Sequence, residues 1–210
     1  MRLAACSPGR QEAKSLNYNP NVITRYLLVS LALAFVCGAE EYTYWIDPCP
    51  PDAAKATSCE PGDPELARWA LEAWQRESGG AVTFKKSPAA EHARIELRWA
   101  NGTSSLYGET EPVMVDGKPG SVIYVLPSVA PGADRLLRDA IVYLTCLHES
   151  GHALGLRHTA AFADIMYSFQ YGGDISEYFG RYRRQLKTRD DIRAHSGISE
   201  ADRTAIRSAK

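Results

Sequence analysis

Long apolar runs are absent from this sequence. The longest one, residues 27–36, covers ten residues with Ser30 as the one polar position and is too short to span a bilayer comfortably as a helix of the mature protein. Internal repeats and low-complexity tracts are also absent. With 210 residues, of which 45% are apolar, the chain is expected to form one globular domain with appendages.

An excess of basic residues is absent as well, because 24 Lys and Arg stand against 25 Asp and Glu. Without residues 1–39 the chain has 20 basic and 24 acidic residues, a net charge of -4. Residues 40–180 hold 11 basic and 20 acidic residues, whereas residues 181–210 hold nine and four. The acidic body argues against nucleic acid as a partner. The basic end is interpreted as a solvated helical face, with contact to an anionic surface as the alternative.

Cysteine is scarce, with five residues in the chain. Cys6 and Cys37 belong to the N-terminal part that a signal peptidase would remove. Cys49 and Cys59 flank a short Pro-rich loop, and in an exported protein this arrangement predicts a disulfide. Cys146 is predicted to be a buried free thiol.

The N-terminus has the layout of a secretory signal peptide. Arg25 precedes the apolar run, and small residues at 37–39 lead to two glutamates. We expect cleavage after Ala39 and a secreted or periplasmic protein with no membrane attachment after signal removal. An uncleaved anchor and a lipoprotein linked through the cysteine at 37 are the alternatives. The long polar stretch at residues 1–24 suggests a true start nearer Val22.

Histidine is equally scarce, yet three of the five lie within eleven residues. The stretch 148–158 has the pattern H-E-x-x-H-x-x-G-x-x-H, a zinc-protease signature. His148 and His152 are four residues apart, so on a helix they project from one face and can share a tetrahedral zinc. Gly155 tolerates the left-handed conformation that ends a helix, so His158 can return as the third ligand. Three protein ligands leave one position open, as in catalytic zinc sites.

Glu149 follows the first ligand and is predicted to be the general base that takes a proton from a metal-bound water. The alternative is that this string occurs by chance on an ordinary helix, where a lone histidine is more often a packing residue. Five specified positions in eleven, with glycine where the turn requires it, favour the zinc site.

Apolar periodicity and turn signals predict the elements of the chain. The central helix starts near Asp134 and carries Leu137, Ile141 and Leu144 on the same stripe as the first two histidines, so the ligands emerge from the face that packs on the sheet. A hairpin signal lies at residues 116–120, and residues 47–63 are predicted to be a loop. Strands are predicted at 42–46, 81–84, 93–99, 106–115 and 121–126, and further helices from Asp63, over 176–187 and from Ser199.

A second motif follows the third histidine. Residues 163–167 (Ala-Asp-Ile-Met-Tyr) resemble the Met-turn beneath the zinc of metzincin proteases, with Met166 eight residues after His158. From about Tyr42 to Tyr171 the chain resembles the matrixin-like metzincins, which are zinc endopeptidases related to matrix metalloproteinases. The resemblance implies an α+β fold in which a twisted, mostly parallel but mixed five-stranded sheet packs on a long zinc-binding helix.

Motif and resemblance together predict a secreted zinc endopeptidase that holds one catalytic Zn²⁺ and hydrolyses internal peptide bonds of a polypeptide substrate. We expect a monomer organised as a signal peptide (1–39), a catalytic domain (40–171) and a C-terminal helical segment of the same domain (172–210). The alternative is a non-catalytic secreted zinc-binding protein with the same fold. A hydrolase of non-peptide amides has no supporting feature.

Substrate is expected to bind along a sheet edge beside the zinc. Residues 106–113 resemble the family's substrate-binding edge strand, and Gly108 in this strand would let another backbone approach closely. A pocket formed after the Met-turn is expected to receive the side chain that follows the cut bond, so cleavage before bulky apolar residues such as leucine is predicted. The residues assigned to substrate are Gly108, Glu109, Thr110, Tyr167, Phe169 and Tyr171.

The chain departs from the family pattern at several positions. Ser168 stands where proline usually follows the Met-turn tyrosine, and Thr159 stands where animal matrixins usually have serine. Only His92 and His195 remain outside the motif, too few for the family's second, histidine-rich zinc site, and no acidic loop has calcium spacing. Residues 47–52 faintly resemble the cysteine segment of matrixin propeptides, although they follow the first predicted strand instead of preceding it.

Overall fold

A mixed five-stranded sheet forms the centre of the computed structural model, which describes residues 39–101, 107–127, 132 and 134–209. Its strands, in the spatial order β2-β1-β3-β5-β4, are β1 (Glu40–Ile46), β2 (Val82–Lys86), β3 (Ile95–Trp99), β4 (Gly108–Val115) and β5 (Lys118–Val125). All neighbouring pairs are parallel except β4 and β5, which are antiparallel. The predicted α+β class with a mostly parallel mixed sheet is confirmed.

Six α-helices accompany this sheet in the described residues: α1 (Pro51–Thr57), α2 (Asp63–Glu77), α3 (Arg135–Ala153), α4 (Ile175–Arg183), α5 (Asp191–Ala194) and α6 (Glu200–Ser208). None of the helices in this described part is long and apolar enough to cross a membrane. The predicted signal peptide up to residue 38, with Cys6 and Cys37, and Leu106, the first residue of the predicted strand at 106–115, lie outside the described residues.

The long helix α3 begins where the sequence predicts, because the Asp134 side chain accepts a hydrogen bond from the backbone N–H of Leu136. It packs along α2, whose apolar stripe includes the fully buried Trp74. The Trp74 indole N–H donates to the carbonyl of Leu147 at 2.9 Å. This bond anchors α2 to α3 one residue before His148, so the core fixes the helix that carries the histidine motif.

Three local predictions need correction. Residues 47–63 are not entirely a loop, because α1 starts at Pro51, where a proline suits the first turn, and ends at a left-handed Ser58. Alternation along the predicted strand at 93–99, with Ile95 and Leu97 inward, places Glu96 on the outward side, but in the central strand β3 it is only 9% exposed. The Arg98 guanidinium pairs with its carboxylate at 2.6 Å. The hairpin turn consists of Asp116 and Gly117 alone, both with positive φ as a two-residue turn of the mirror-image type requires.

The predicted disulfide is present and joins Cys49 to Cys59 across a Cα–Cα distance of 6.1 Å. It closes the segment that contains α1, and neither sulfur is a free thiol as the propeptide-like interpretation of residues 47–52 would require. Arg138 of α3 ties this segment to the core, since its guanidinium pairs with the buried Asp63 at 2.7 and 2.8 Å and donates to the Ser58 carbonyl at 3.2 Å. Cys146 is free and fully buried, as predicted.

Replacing both disulfide cysteines by alanine (C49A/C59A) is expected to lower the free energy of unfolding by about 2–3 kcal/mol, because the open chain regains the entropy of a short closed loop. Urea denaturation followed by circular dichroism measures the change. The Cys146→Ala variant controls for loss of a sulfur that forms no crosslink. An unchanged unfolding midpoint for C49A/C59A would show that the Arg138 contacts hold the segment without the disulfide.

Candidate metal centre

Two histidines of α3 are oriented by backbone carbonyls. His148 Nδ1 lies 2.7 Å from the carbonyl oxygen of Ile165, and His152 Nδ1 lies 2.9 Å from that of Leu156. A carbonyl oxygen only accepts, so Nδ1 carries the proton in both rings and each Nε2 keeps its lone pair. Such a carbonyl contact is the usual way in which a metal-binding histidine is fixed in the required tautomer.

The third histidine reaches the same point from outside the helix. Gly155 adopts a φ of 88°, and the chain turns back through a hydrogen bond from the Leu156 N–H to the Gly151 carbonyl at 3.0 Å. His158 Nε2 then lies 3.2 Å from His148 Nε2 and 3.0 Å from His152 Nε2. The glycine therefore has the role that the sequence predicts.

These three nitrogen atoms lie close enough to bind one metal ion. A tetrahedral zinc with bonds of about 2.05 Å separates its ligand atoms by about 3.3 Å, close to the two spacings observed. Hydrogen bonding alone does not satisfy the cluster, because His158 Nε2 can donate to at most one of the two lone pairs that face it. A shared cation accommodates all three, so the donor set fits zinc in chemistry and in spacing.

The protonation state of the rings suits the same purpose. Burial lowers the pKa of His148 to about 4, so this ring is neutral at physiological pH. Burial, and then the nearby His152 and His148 rings, also lower the pKa of the more exposed His158. Neutral imidazole is the form that binds metals, so little protonation competes with metal binding near pH 7.

Glu149 is buried beside the three histidines, with its carboxylate against β4. The hydroxyl of Thr110 lies 2.7 Å from Glu149 Oε2 and donates to it. Gly108 provides the room, since a Cβ at this position would lie 2.7 Å from Glu149 Cγ and 2.8 Å from Oε1. Burial raises the pKa of Glu149, and the hydrogen bond from Thr110 opposes that rise. Gly108 thus makes space for this glutamate, a role that the edge-strand resemblance did not predict.

Met166 lies beneath the histidine helix. It is 1% exposed, and a Cβ at Gly151 would collide with its Sδ, so the glycine lets the methionine pack against α3. The turn that carries Met166 is held beside His158, because the Thr159 N–H donates to the Met166 carbonyl at 2.8 Å. The resemblance implies a position beneath the zinc for this methionine, and the structure packs it against Gly151, between His148 and His152 in the sequence of α3.

A buried carboxylate of α6 accepts hydrogen bonds from the backbone of this turn. Asp202 is 1% exposed and accepts from the backbone N–H of Ile165 at 2.8 Å, of Met166 at 3.4 Å and of Ser199 at 3.0 Å. It is also part of the capping box that starts α6. The C-terminal helix therefore fixes the segment whose Ile165 carbonyl orients His148.

Asp202→Ala is expected to lower the free energy of unfolding by about 3 kcal/mol, because it removes a charged acceptor and leaves two buried N–H groups unpaired. Chemical denaturation measures this loss, and metal affinity should fall with it because His148 loses a firmly placed carbonyl partner. Glu200→Ala, an exposed change in the same first helical turn, is the control. Stability within about 0.5 kcal/mol of the parent protein would show that α6 does not hold the turn.

A cavity of about 550 Å³ opens beside the histidines. Its wall combines the N-terminal half of β4, the histidine face of α3 and residues that follow Met166. Of the residues predicted to contact substrate, five line it: Gly108, Glu109, Thr110, Tyr167 and Phe169. Tyr171 does not belong to the wall and is 57% exposed. The structure therefore brings together all but one of the residues assigned to this pocket.

No family model matches the sequence, and no curated protein matches it significantly. The functional assignment therefore depends on the site's own geometry.

Sequence reasoning missed part of the cavity wall. That part consists of Leu144 and Thr145 of α3 and of Ile175, Tyr178 and Phe179 of α4. Periodicity identified a helix over 176–187 but could not place it against α3. Aromatic residues at two successive positions, 178 and 179, were the available signal, since both are almost fully buried in the structure.

The hydroxyl of Tyr167 is already used, because it donates to the Gly172 carbonyl at 2.7 Å. This contact gives the Tyr167 hydroxyl a structural role in the turn that follows Met166. The two histidines outside the motif lie apart from the centre, with His92 Nδ1 3.4 Å from an exposed Asp116 carboxylate. Among the described residues, the three motif histidines form the one cluster suited to a metal.

Proposed function

We propose that this chain is a secreted zinc endopeptidase of the metzincin type, similar to the matrixins. The observation that carries the proposal is the convergence of three histidine Nε2 atoms beside a buried glutamate in an open cleft. Two rings are fixed with Nδ1 protonated, which leaves the Nε2 lone pairs for a metal. The parallel sheet with one antiparallel edge strand and the methionine below α3 also support it.

Glu149 is the proposed general base. Bound zinc would polarise the scissile carbonyl and lower the pKa of a water toward about 7. Glu149 takes the proton of the attacking water and later delivers it to the leaving amine. The raised pKa of its carboxyl suits the first of these steps, because it makes the carboxylate a better proton acceptor than an exposed glutamate.

The substrate is proposed to add as a strand along β4. This strand is at the sheet edge and pairs with β5 on one side only within the described sheet. Its N-terminal residues line the cleft, so a peptide extended along β4 would pass the three histidines. The side chain of Glu109 is exposed and projects away from the base, as alternation along a strand requires.

Cleavage before bulky apolar residues such as leucine is expected, because the pocket beside the histidines is walled by Tyr178, Phe179 and Leu144. A peptide-library digest with product identification by mass spectrometry measures this preference, with the chelator-treated protein as control. Preferred cutting before charged residues or glycine would contradict the pocket assignment. A metal-loaded protein that cleaves no peptide would contradict the endopeptidase itself.

A non-catalytic zinc-binding protein is the second candidate function. Such a protein has no use for a buried glutamate beside the metal ligands, whereas Glu149 is placed there with a hydroxyl partner and a glycine that gives it room. Export is part of the proposal, and the Cys49–Cys59 disulfide supports it because such crosslinks persist in oxidising compartments.

A further inference from the structure

The carboxylate of the proposed base is held from the substrate-binding strand. Thr110 of β4 donates its hydroxyl proton to Glu149 Oε2, and the two oxygen atoms are 2.7 Å apart. The same hydroxyl lies 3.0 Å from the backbone carbonyl oxygen of Glu149. One proton serves one acceptor at a time, and a carboxylate is the stronger of the two.

We propose that Thr110 is a positioning residue, which holds Glu149 Oε2 so that Oε1 is the oxygen that exchanges the proton during peptide hydrolysis. This inference rests on the proposed function, because it assigns a task within that reaction. The two oxygens are in different surroundings: Oε2 has the hydroxyl donor, whereas Oε1 lies beside Gly108, where a Cβ would come within 2.8 Å of it. Without the hydroxyl, rotation of the glutamate side chain would exchange the two positions.

The location of Thr110 couples the base to the substrate. Side chains of β4 alternate, so Thr110 points toward α3 while its neighbours Glu109 and Glu111 are exposed. The strand proposed to align the peptide is therefore the one that orients the base. A fixed distance between these two elements is what a reaction sensitive to small displacements requires.

The first experiment compares three variants on one cleavable peptide. Thr110→Val replaces the hydroxyl by a methyl group of similar size, and Thr110→Ser keeps the hydroxyl. Thr43→Val is the matched control, because Thr43 is also a strand threonine, and its hydroxyl donates to the His92 carbonyl at 3.0 Å, outside the cleft. Zinc content is measured for each variant.

For Thr110→Val, kcat is expected to fall about 10- to 100-fold with KM within about 2-fold of the parent value, since binding is intact and only the base is displaced. Thr110→Ser should recover most of kcat, Thr43→Val should match the parent protein, and all should keep one zinc. An unchanged kcat in Thr110→Val would overturn the proposal. Equal losses in Thr110→Val and Thr43→Val would overturn it too, because they would indicate a general loss of strand stability.

The second experiment needs no activity. A double-mutant cycle combines Thr110→Val with Glu149→Ala and follows the thermal midpoint of the protein as purified. The valine change should lower the midpoint by about 4 °C when Glu149 is present and by about 1 °C when it is absent. Equal shifts in both backgrounds would mean that the hydroxyl serves the backbone carbonyl, which overturns the proposal. A parent protein that cleaves nothing contradicts the proposed function alone, and the cycle still decides whether Thr110 holds the carboxylate.

Discussion

Glu149→Gln is expected to abolish most peptide cleavage while the protein keeps its metal. Glutamine has the size of glutamate and still accepts the hydrogen bond from Thr110, but it cannot take a proton from the attacking water. Loss of a general base costs about 100- to 10,000-fold in rate. The measurement is kcat/KM on a peptide substrate, together with zinc content by elemental analysis of the same preparation.

The matched control is Glu91→Gln, an identical chemical change at an exposed glutamate in the turn before β3. It should leave both cleavage and zinc content unchanged. Normal cleavage by Glu149→Gln would show that another group acts as the base. Loss of zinc together with activity would assign Glu149 to metal binding instead of proton transfer.

His158→Ala is expected to remove nearly all activity through the metal. His158 supplies one of the three Nε2 atoms, and even the loss of a group that only orients a ligand costs about 10- to 100-fold in metal affinity, so the loss of a ligand should exceed about 100-fold. Competition with a chelating dye measures the affinity. Peptide cleavage at limiting zinc should fall at least as far.

The exposed position of His158 separates metal binding from folding. In the metal-free state the alanine variant should unfold within about 0.5 kcal/mol of the parent protein, as expected for a surface change. With zinc at about 1,000 times its dissociation constant, the parent should gain about 4 kcal/mol and the variant much less. His92→Ala serves as control, and wild-type zinc affinity in His158→Ala would contradict the three-histidine site.

The parts of the fold and site that could be predicted from the sequence are those that depend on neighbouring residues in the chain. The cap at Asp134, the apolar stripe of α3 and the glycine turn at Gly155 each depend on residues within a few positions of one another. The structure confirms these elements, and the three histidines meet as their spacing predicts. Periodicity and turn chemistry are sufficient here because a helix and its end are short-range structures.

The parts that sequence could not supply depend on contacts between distant segments. In the sequence, Asp202 is an acidic residue at a helix start. No local pattern connects it to Met166, 36 residues earlier, from whose backbone N–H it accepts a hydrogen bond. Thr110 similarly reads as a strand residue, although its hydroxyl meets a carboxylate 39 positions away. The burial of Glu96 depends on the strand order, which the residues alone did not specify. Such pairings arise only once helices and strands are packed.

The most direct test of the proposed zinc site is anomalous X-ray scattering from crystals of the purified protein, with data collected on either side of the zinc absorption edge. A zinc-dependent hydrolase at this site requires one strong peak about 2.0–2.1 Å from the Nε2 atoms of His148, His152 and His158. It also requires that the peak lie next to the Glu149 carboxylate. A map with no zinc peak among these three histidines, or with zinc bound only elsewhere in the chain, would contradict it.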